Sequence, residues 1–237
     1  LNAANIFVTC IDSTTTPGIT VTSITGNTTE AGGTATFNMV LDSEPTDNVS
    51  ITLTSSDTGE GTVLPGTVVF TNTNWATPQI VTVTGVDDIL EYGNQGYTII
   101  TAAASSVDGN YSGMDAENVT ITNEDNDSIG IDVSAVSGNT DESGTTATFT
   151  VKLKSLPTDT VTIPISSSDT NEGTIDVGAT LTFTTGNWST AQTITITGQD
   201  DIVIDGDQPY FITLGSSTSS DSAYNACLLY TSPSPRD

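Results

Sequence analysis

The stretch TGQDDIVIDGDQ, residues 197–208, sets Asp200, Asp201, Asp205 and Asp207 close together with no lysine, arginine or histidine among them. Over the whole chain 29 acidic residues face 3 basic ones, a net charge of -26. Two carboxylates about 4 Å apart repel by about 1 kcal/mol in water and about 4 kcal/mol at the effective dielectric of a protein surface. Clusters of this kind therefore need cations that the chain itself cannot supply. Carboxylates without imidazole or thiolate form an all-oxygen donor set. Ca2+ accepts roughly six to eight such ligands in loose geometry, whereas Mg2+ demands a stricter octahedron and keeps its waters. Calcium is the expected counterion, set against the plainer alternative that these are solvated turn acids serving solubility.

The same composition excludes other chemistries. With no histidine, Ser-His-Asp and Cys-His catalysis and histidine-zinc sites are ruled out. The negative charge argues against nucleic acid and anionic membrane surfaces, both of which require basic patches. No apolar run reaches the length of a membrane span, so membrane insertion is not expected. Cys10 and Cys227 lie far apart in the sequence and make no CxxC motif, so no disulfide framework is indicated. Only 14% of residues are charged and 35% are hydrophobic, which suits a folded, threonine-rich β-protein better than a disordered chain.

Self-comparison shows one module written twice. TEAGGTATFNMVLDSEPTD (29–47) matches DESGTTATFTVKLKSLPTD (141–159), SSDTGEGT (55–62) matches SSDTNEGT (167–174), and TNWATPQIVTVTGVDD (73–88) matches GNWSTAQTITITGQDD (186–201). The offset is 112 residues, becoming 113 after an insertion between Thr174 and Phe183. NIFVTCID (5–12) resembles NVTITNED (118–125), the end of the first module. Residues 1–14 thus read as the end of an upstream repeat, 15–128 as repeat 1 and 129–226 as a truncated repeat 2. The final segment CLLYTSPSPRD (227–237) resembles the translation of a transposase-type sequencing-library adapter and is expected to have no biological role. The chain opens on Leu1 and reads as part of a longer protein.

Within each module, apolar and polar residues alternate in short runs broken by Gly, Asn, Asp and Pro. In ATFTVKL, Ala147, Phe149, Val151 and Leu153 face one way, as do Ala35, Phe37, Met39 and Leu41 in the first repeat. Seven strands are expected in repeat 1, near 19–25, 34–41, 48–55, 67–72, 79–86, 96–103 and 117–123. The fold class is all-β: tandem seven-stranded immunoglobulin-like Greek-key sandwiches, the second lacking its last strand. Trp75 and Trp188 are expected to pack over the end of each sandwich.

Strand parity then sorts the acids. Turns after the first, third, fifth and seventh strands share one pole, which receives Glu30, Asp57, Glu60, Asp87, Asp88 and Glu91, then Glu124, Asp125 and Asp127 of the linker. In repeat 2 it receives Asp141, Glu142, Asp169, Glu172, Asp200, Asp201, Asp205 and Asp207. At this pole the pairs Glu30/Glu142, Asp57/Asp169, Glu60/Glu172, Asp87/Asp200 and Asp88/Asp201 recur, whereas at the other Asp42 becomes Lys154 and Glu44 becomes Leu156, while Asp47/Asp159 and Asp108/Asp221 remain. The candidate metal ligands are Glu30, Asp57, Asp87, Asp88, Glu91, Asp125, Asp127, Glu142, Asp169, Asp200, Asp201 and Asp205.

These residues resemble those of a known family. GATLTFTTGNWSTAQTITITGQDDIVIDGDQPYFITL (178–214) is similar to the second half of a Calx-beta domain, with its G-x-L-x-F strand, D-D turn and acidic strand entry. Glu142 to Phe149 resembles the first half. The resemblance implies calcium at this pole, on Glu142, Asp200, Asp201 and Asp205, and on Glu30, Asp87 and Asp88. Repeat 1 departs from the pattern, with Tyr92 and Asn94 where repeat 2 has Asp205 and Asp207. Neither repeat has the family's D-Y in the third turn. NEDND (123–127) also resembles the D-x-N-D-N junction of cadherins, where calcium stiffens successive domains.

The expected role is that of a calcium-binding structural repeat of a large secreted or cell-surface bacterial protein, a stiffened spacer or adhesin stalk whose partners are calcium and neighbouring repeats. The alternative is an adhesion module for carbohydrate or another cell-surface ligand, using Trp75, Tyr92, Tyr97, Trp188 or Tyr210. Ice binding by T-x-T strands and glycoside hydrolysis by paired acids are weaker readings. An enzyme is not expected, because the same acids repeat in tandem and no substrate cleft is suggested.

Overall fold

The computed structural model describes residues 16–202 and 206–227, and every regular element among them is a strand. The chain divides into two compact units, with the boundary between Asn126 and Asp127 and with Ile89–Glu91 grouped with the second. The first contains β1 (Ile19–Val21), β2 (Thr28–Thr29), β3 (Thr34–Leu41), β4 (Val49–Ser55), β5 (Gly61–Leu64), β6 (Thr67–Phe70), β7 (Gln79–Gly85), β8 (Gln95–Thr101) and β9 (Val119–Glu124). One sheet has the order β1-β3-β7-β5 and the other β2-β9-β8-β4-β6.

Nine strands stand where seven were expected, for a topological reason. β1 and β2 run in the same direction but in different sheets, because β1 is antiparallel to β3 whereas β2 is parallel to β9. The expected first strand is one strand that changes sheets. β5 and β6 likewise share a direction, pairing with β7 in one sheet and β4 in the other. Pro65 lies between them, where its missing N–H interrupts the ladder. A strand that changes sheets without reversing leaves parity intact, so the turns before β3, β5 and β8 and the segment after β9 share one pole.

The core follows the alternation. β3 buries Ala35, Phe37, Met39 and Leu41, its neighbour β7 adds Val81 and Val83, and the other sheet contributes Ile51, Leu53, Ile99 and Ile121. Each such side chain stabilises by roughly 1.5–3 kcal/mol on burial. Trp75 and Trp188 are half-buried against their respective cores.

At the opposite pole a recurrent D-x-x-Y clamps the chain. Tyr111 is fully buried, and its hydroxyl donates to Ser43 O at 2.7 Å while the Ser43 N–H donates to it at 3.2 Å. Asp108 accepts from the N–H groups of Thr46 at 2.8 Å and Asn110 at 2.9 Å, which holds its carboxyl below the usual range. Tyr224 and Asp221 repeat these contacts on Ser155, Thr158 and Ala223. Burial pushes the Asp221 carboxyl up, but the amide N–H groups outweigh it and the net shift is downward. The acids conserved between the repeats at this pole thus have amide partners and do not require a cation.

The second unit contains β10 (Ile131–Val133), β11 (Thr146–Leu153), β12 (Val161–Ser167), β13 (Gly173–Ile175), β14 (Thr180–Phe183), β15 (Gln192–Gly198) and β16 (Ile212–Leu214). Its sheets are β10-β11-β15-β13 and β14-β12-β16. Among the described residues no strand follows β16 and none corresponds to β2. The two absences are linked, because β2 owes its ladder to β9.

Candidate metal centre

Glu30 follows β2 and is 2% exposed. Its backbone N–H donates to Glu124 O at 3.0 Å, extending the parallel pairing and turning the side chain under the end of β9. β7 ends against the same place: a Cβ on Gly85 would lie 2.2 Å from Thr29 O and 2.4 Å from Asn123 Oδ1, so only glycine lets the strands approach. Carboxylate oxygens of Glu30, Asp125 and Asp127, the last two following β9 directly in sequence, all lie within 4.8 Å of one another.

Burial pushes the Glu30 carboxyl up, the Asn126 N–H donating to Oε2 at 3.0 Å opposes this, and the charges of Asp125 and Asp88 push it further up. The result is a buried acid whose ionised form is disfavoured by its own neighbours. Asp125 Oδ2 accepts from the N–H groups of Tyr92 at 3.1 Å and Gly93 at 2.7 Å, tying the loop before β8 to the segment after β9. Asp87 Oδ1 accepts from Asn126 Nδ2 at 3.2 Å.

Beside these acids, Tyr92 Oη donates to Glu60 Oε1 at 2.8 Å and also contacts Asp88 Oδ2. A phenol has one proton to donate, so these carboxylates share a single donor. The contact with Asp88, then burial and the contact with Glu60, push the Tyr92 hydroxyl well above the usual phenol range. Asn123 Nδ2 donates to Glu60 Oε2 at 3.3 Å and Val86 O at 3.0 Å. Among the described residues the ion pairs given by lysine go elsewhere: Lys152 and Lys154 reach Asp132 at 3.9 and 3.7 Å.

Of the sequence-predicted ligands, Glu30, Asp125 and Asp127 come together, Asp88 lies beside them and Asp87 is held through Asn126. Asp57 does not join them. It is exposed, and its Oδ1 accepts from the Gly59 N–H at 2.9 Å, closing its own turn. Glu91 is exposed as well. Glu60, 8% exposed, enters in place of Asp57. Its recurrence as Glu172 was the signal for it, whereas nothing in the sequence marked Asn123 or Asn126 as the amides that hold the acids.

In the second unit Glu142, Asp169 and Asp200 are exposed and Asp201 is half-buried, while Asp205 lies outside the described residues. No three-acid cluster forms there among the described residues. The acid corresponding to buried Glu30 is exposed, and among the described residues no strand equivalent to β9 lies beside it. Asp169 closes its own turn on the Asn171 N–H at 2.9 Å, as Asp57 does. Of the candidate glycan-stacking tyrosines, Tyr92 is exposed and Tyr210 half-buried. Tyr97 is 4% exposed and its hydroxyl meets Thr28 Oγ1 at 3.0 Å, while Tyr210 meets Thr140 Oγ1 at 2.6 Å.

Neither a family model nor a curated protein matches this sequence. Solved structures similar to the chain include the calcium binding domain CBD12 of CALX1.1, at 13% identity over 81% of this chain and 77% of that chain with a TM-score of 0.38. CBD12 from CALX1.2 is similar at 15% identity over 83% and 79%, also with a TM-score of 0.38. Domains 5-6 of the S-layer protein SbsC are similar at 16% identity over 84% and 91%, with a TM-score of 0.25. The sheets described above establish an all-β, immunoglobulin-like sandwich architecture.

Proposed function

We propose that the first module binds Ca2+ at the pole formed by Glu30, Asp87, Asp88, Asp125 and Asp127, with Glu60 in support. The observation that carries this reading is buried Glu30 with its carboxylate beside those of Asp125 and Asp127. The donors fit the ion. They are all oxygen, they come from separate loops as a loose coordination sphere allows, and burial of Glu30 removes water that would otherwise screen its repulsion with the others.

Bound calcium would let Glu30 ionise, and would draw the segments after β2, β7 and β9 together. Asp125 and Asp127 follow β9 in the segment that leaves the first module. The parent protein is then a secreted or cell-surface bacterial protein in which such modules act as a calcium-stiffened spacer or adhesin stalk. At about 1 mM calcium and a dissociation constant near 10 µM, binding would stabilise the module by about 2.7 kcal/mol. Calorimetric titration of the full chain tests this, with Asp125→Asn and Asp88→Asn as controls. Heat that is absent from the wild type, or unchanged in both variants, rejects the proposal.

A further inference from the structure

Tyr92 stands where the other repeat carries an acid. Asp88 and Tyr97 match Asp201 and Tyr210 at the offset of 113 residues, and the same register sets Tyr92 against Asp205. The glycine that follows is left-handed in both copies, Gly93 at φ 78° and Gly206 at φ 75°, so the two loops turn alike at this point. Asp205 itself lies outside the described residues. A position that holds a carboxylate in one copy thus holds a neutral phenol in the other, at the edge of the acid cluster.

What the phenol does there follows from its contacts. The N–H groups of Tyr92 and Gly93 donate to Asp125 Oδ2 at 3.1 and 2.7 Å, which moors the backbone to the segment after β9. The side chain reaches away from this anchor, its hydroxyl donating to Glu60 Oε1 at 2.8 Å and contacting Asp88 Oδ2. Glu60 immediately precedes β5 and Asp88 follows β7. Both are bound to one hydroxyl oxygen, so their carboxylates are no further apart than two hydrogen bonds. Carboxylates this close repel, and the proton they share offsets part of that repulsion as a cation would. Little water is at hand to do it instead, because Glu60 is 8% exposed and its other oxygen accepts from Asn123 Nδ2 at 3.3 Å. Asp88 is claimed from two sides, since its charge also acts on Glu30.

We propose, resting on calcium binding at this pole, that Tyr92 sets the calcium affinity of the first module. Its hydroxyl takes the place of the ion between Asp88 and Glu60, holding them together when calcium is absent. Calcium then has less repulsion left to relieve, and drawing Asp88 toward Glu30 and Asp125 takes it from the phenol. An acid at the same position would do the opposite on both counts, adding repulsion to the free module and an oxygen ligand to the bound one. Tyr92 is therefore a positioning residue that trades affinity for order in the calcium-free state.

Calorimetric calcium titration of the full chain, with melting curves in EDTA and in saturating calcium, compares wild type with Tyr92→Phe and Tyr92→Asp. Tyr92→Phe keeps the ring and removes the proton. It should melt below wild type in EDTA and bind calcium about three- to tenfold more tightly, the equivalent of one net hydrogen bond. Tyr92→Asp should melt lower still in EDTA and bind more tightly than Tyr92→Phe. Near-ultraviolet tyrosine absorbance should shift when calcium binds the wild type, and Tyr92→Phe should lose that shift. A side chain that only packs would lower the melting temperature equally in both buffers and leave the affinity unchanged, and that result overturns the proposal. So does weaker binding by Tyr92→Phe, which would make the phenol part of the bound site, or weaker binding by Tyr92→Asp than by Tyr92→Phe, which would turn position 92 away from the ion. Each of these leaves calcium binding standing. Heat absent from all three chains rejects calcium binding itself, and the role of Tyr92 with it.

Discussion

Neutralising Glu30 should reverse the sign of its effect on stability according to whether calcium is present. Glu30→Gln keeps the shape and keeps an oxygen to accept the Asn126 N–H. It removes one charge from a group within 4.8 Å of the carboxylates of Asp125 and Asp127. At 4.8 Å and an effective dielectric near 20, one such pair repels by about 3.5 kcal/mol. Burial and the neighbouring charges raise the Glu30 carboxyl above its usual value, so the cost carried is below this full repulsion, on the order of 1–3 kcal/mol. In EDTA the variant should therefore melt about 4–12 °C above wild type, at about 4 °C per kcal/mol for a module of this size. In 1 mM calcium the wild type should gain about 10 °C and the variant little, so the order of melting temperatures narrows or inverts. Differential scanning calorimetry of both proteins in both buffers measures the four values. A variant that melts below wild type in EDTA and keeps the full calcium shift refutes the reasoning, because Glu30 would then be neither a strained acid nor a ligand.

Four further outcomes follow from the same geometry. The folded-state carboxyl of Glu30 lies above its unfolded value, so its contribution is full below about pH 4.3 and is lost as pH rises through the folded value; calcium-free melting temperatures should fall over that rise and calcium should remove the fall. Asp108, Asp141, Asp176 and Asp221 are shifted the other way, so their contribution is present above about pH 3.9 and is lost as pH falls through their folded values; thermal melts at pH 2–4 should show that loss with or without calcium. Tyr111→Phe, which removes the acceptor of the half-buried Ser43 N–H, should cost about 1–3 kcal/mol in urea unfolding while leaving the calcium titration unchanged. Asp57→Asn should leave calcium affinity within about twofold of wild type, because its carboxylate closes its own turn, and a tenfold loss by calorimetry would place it in the site after all.

The alternation in ATFNMVL and ATFTVKL was legible because a strand's side chains alternate whatever their partners are, and the repeat was legible because it is written twice. The donor chemistry was also legible, since an acidic chain without histidine can offer a cation only oxygen. What the sequence could not show is which acids face one another. Glu30 meets the Asn126 amide across 96 positions in the chain, and that meeting depends on β2 crossing to the far sheet to lie parallel to β9.

Asp57 and Glu60 make the same point at close range. They recur equally in the two repeats, yet one binds the amide of its own turn while the other, adjoining β5, turns inward beneath Tyr92. Recurrence records that a residue is kept but not where its side chain ends. The sequence by itself determined strand content, repeat and ligand type, because these depend on residues near one another along the chain. Only tertiary structure decided the convergence, because a low-dielectric cluster of charges exists only once separate strands have excluded the water between them.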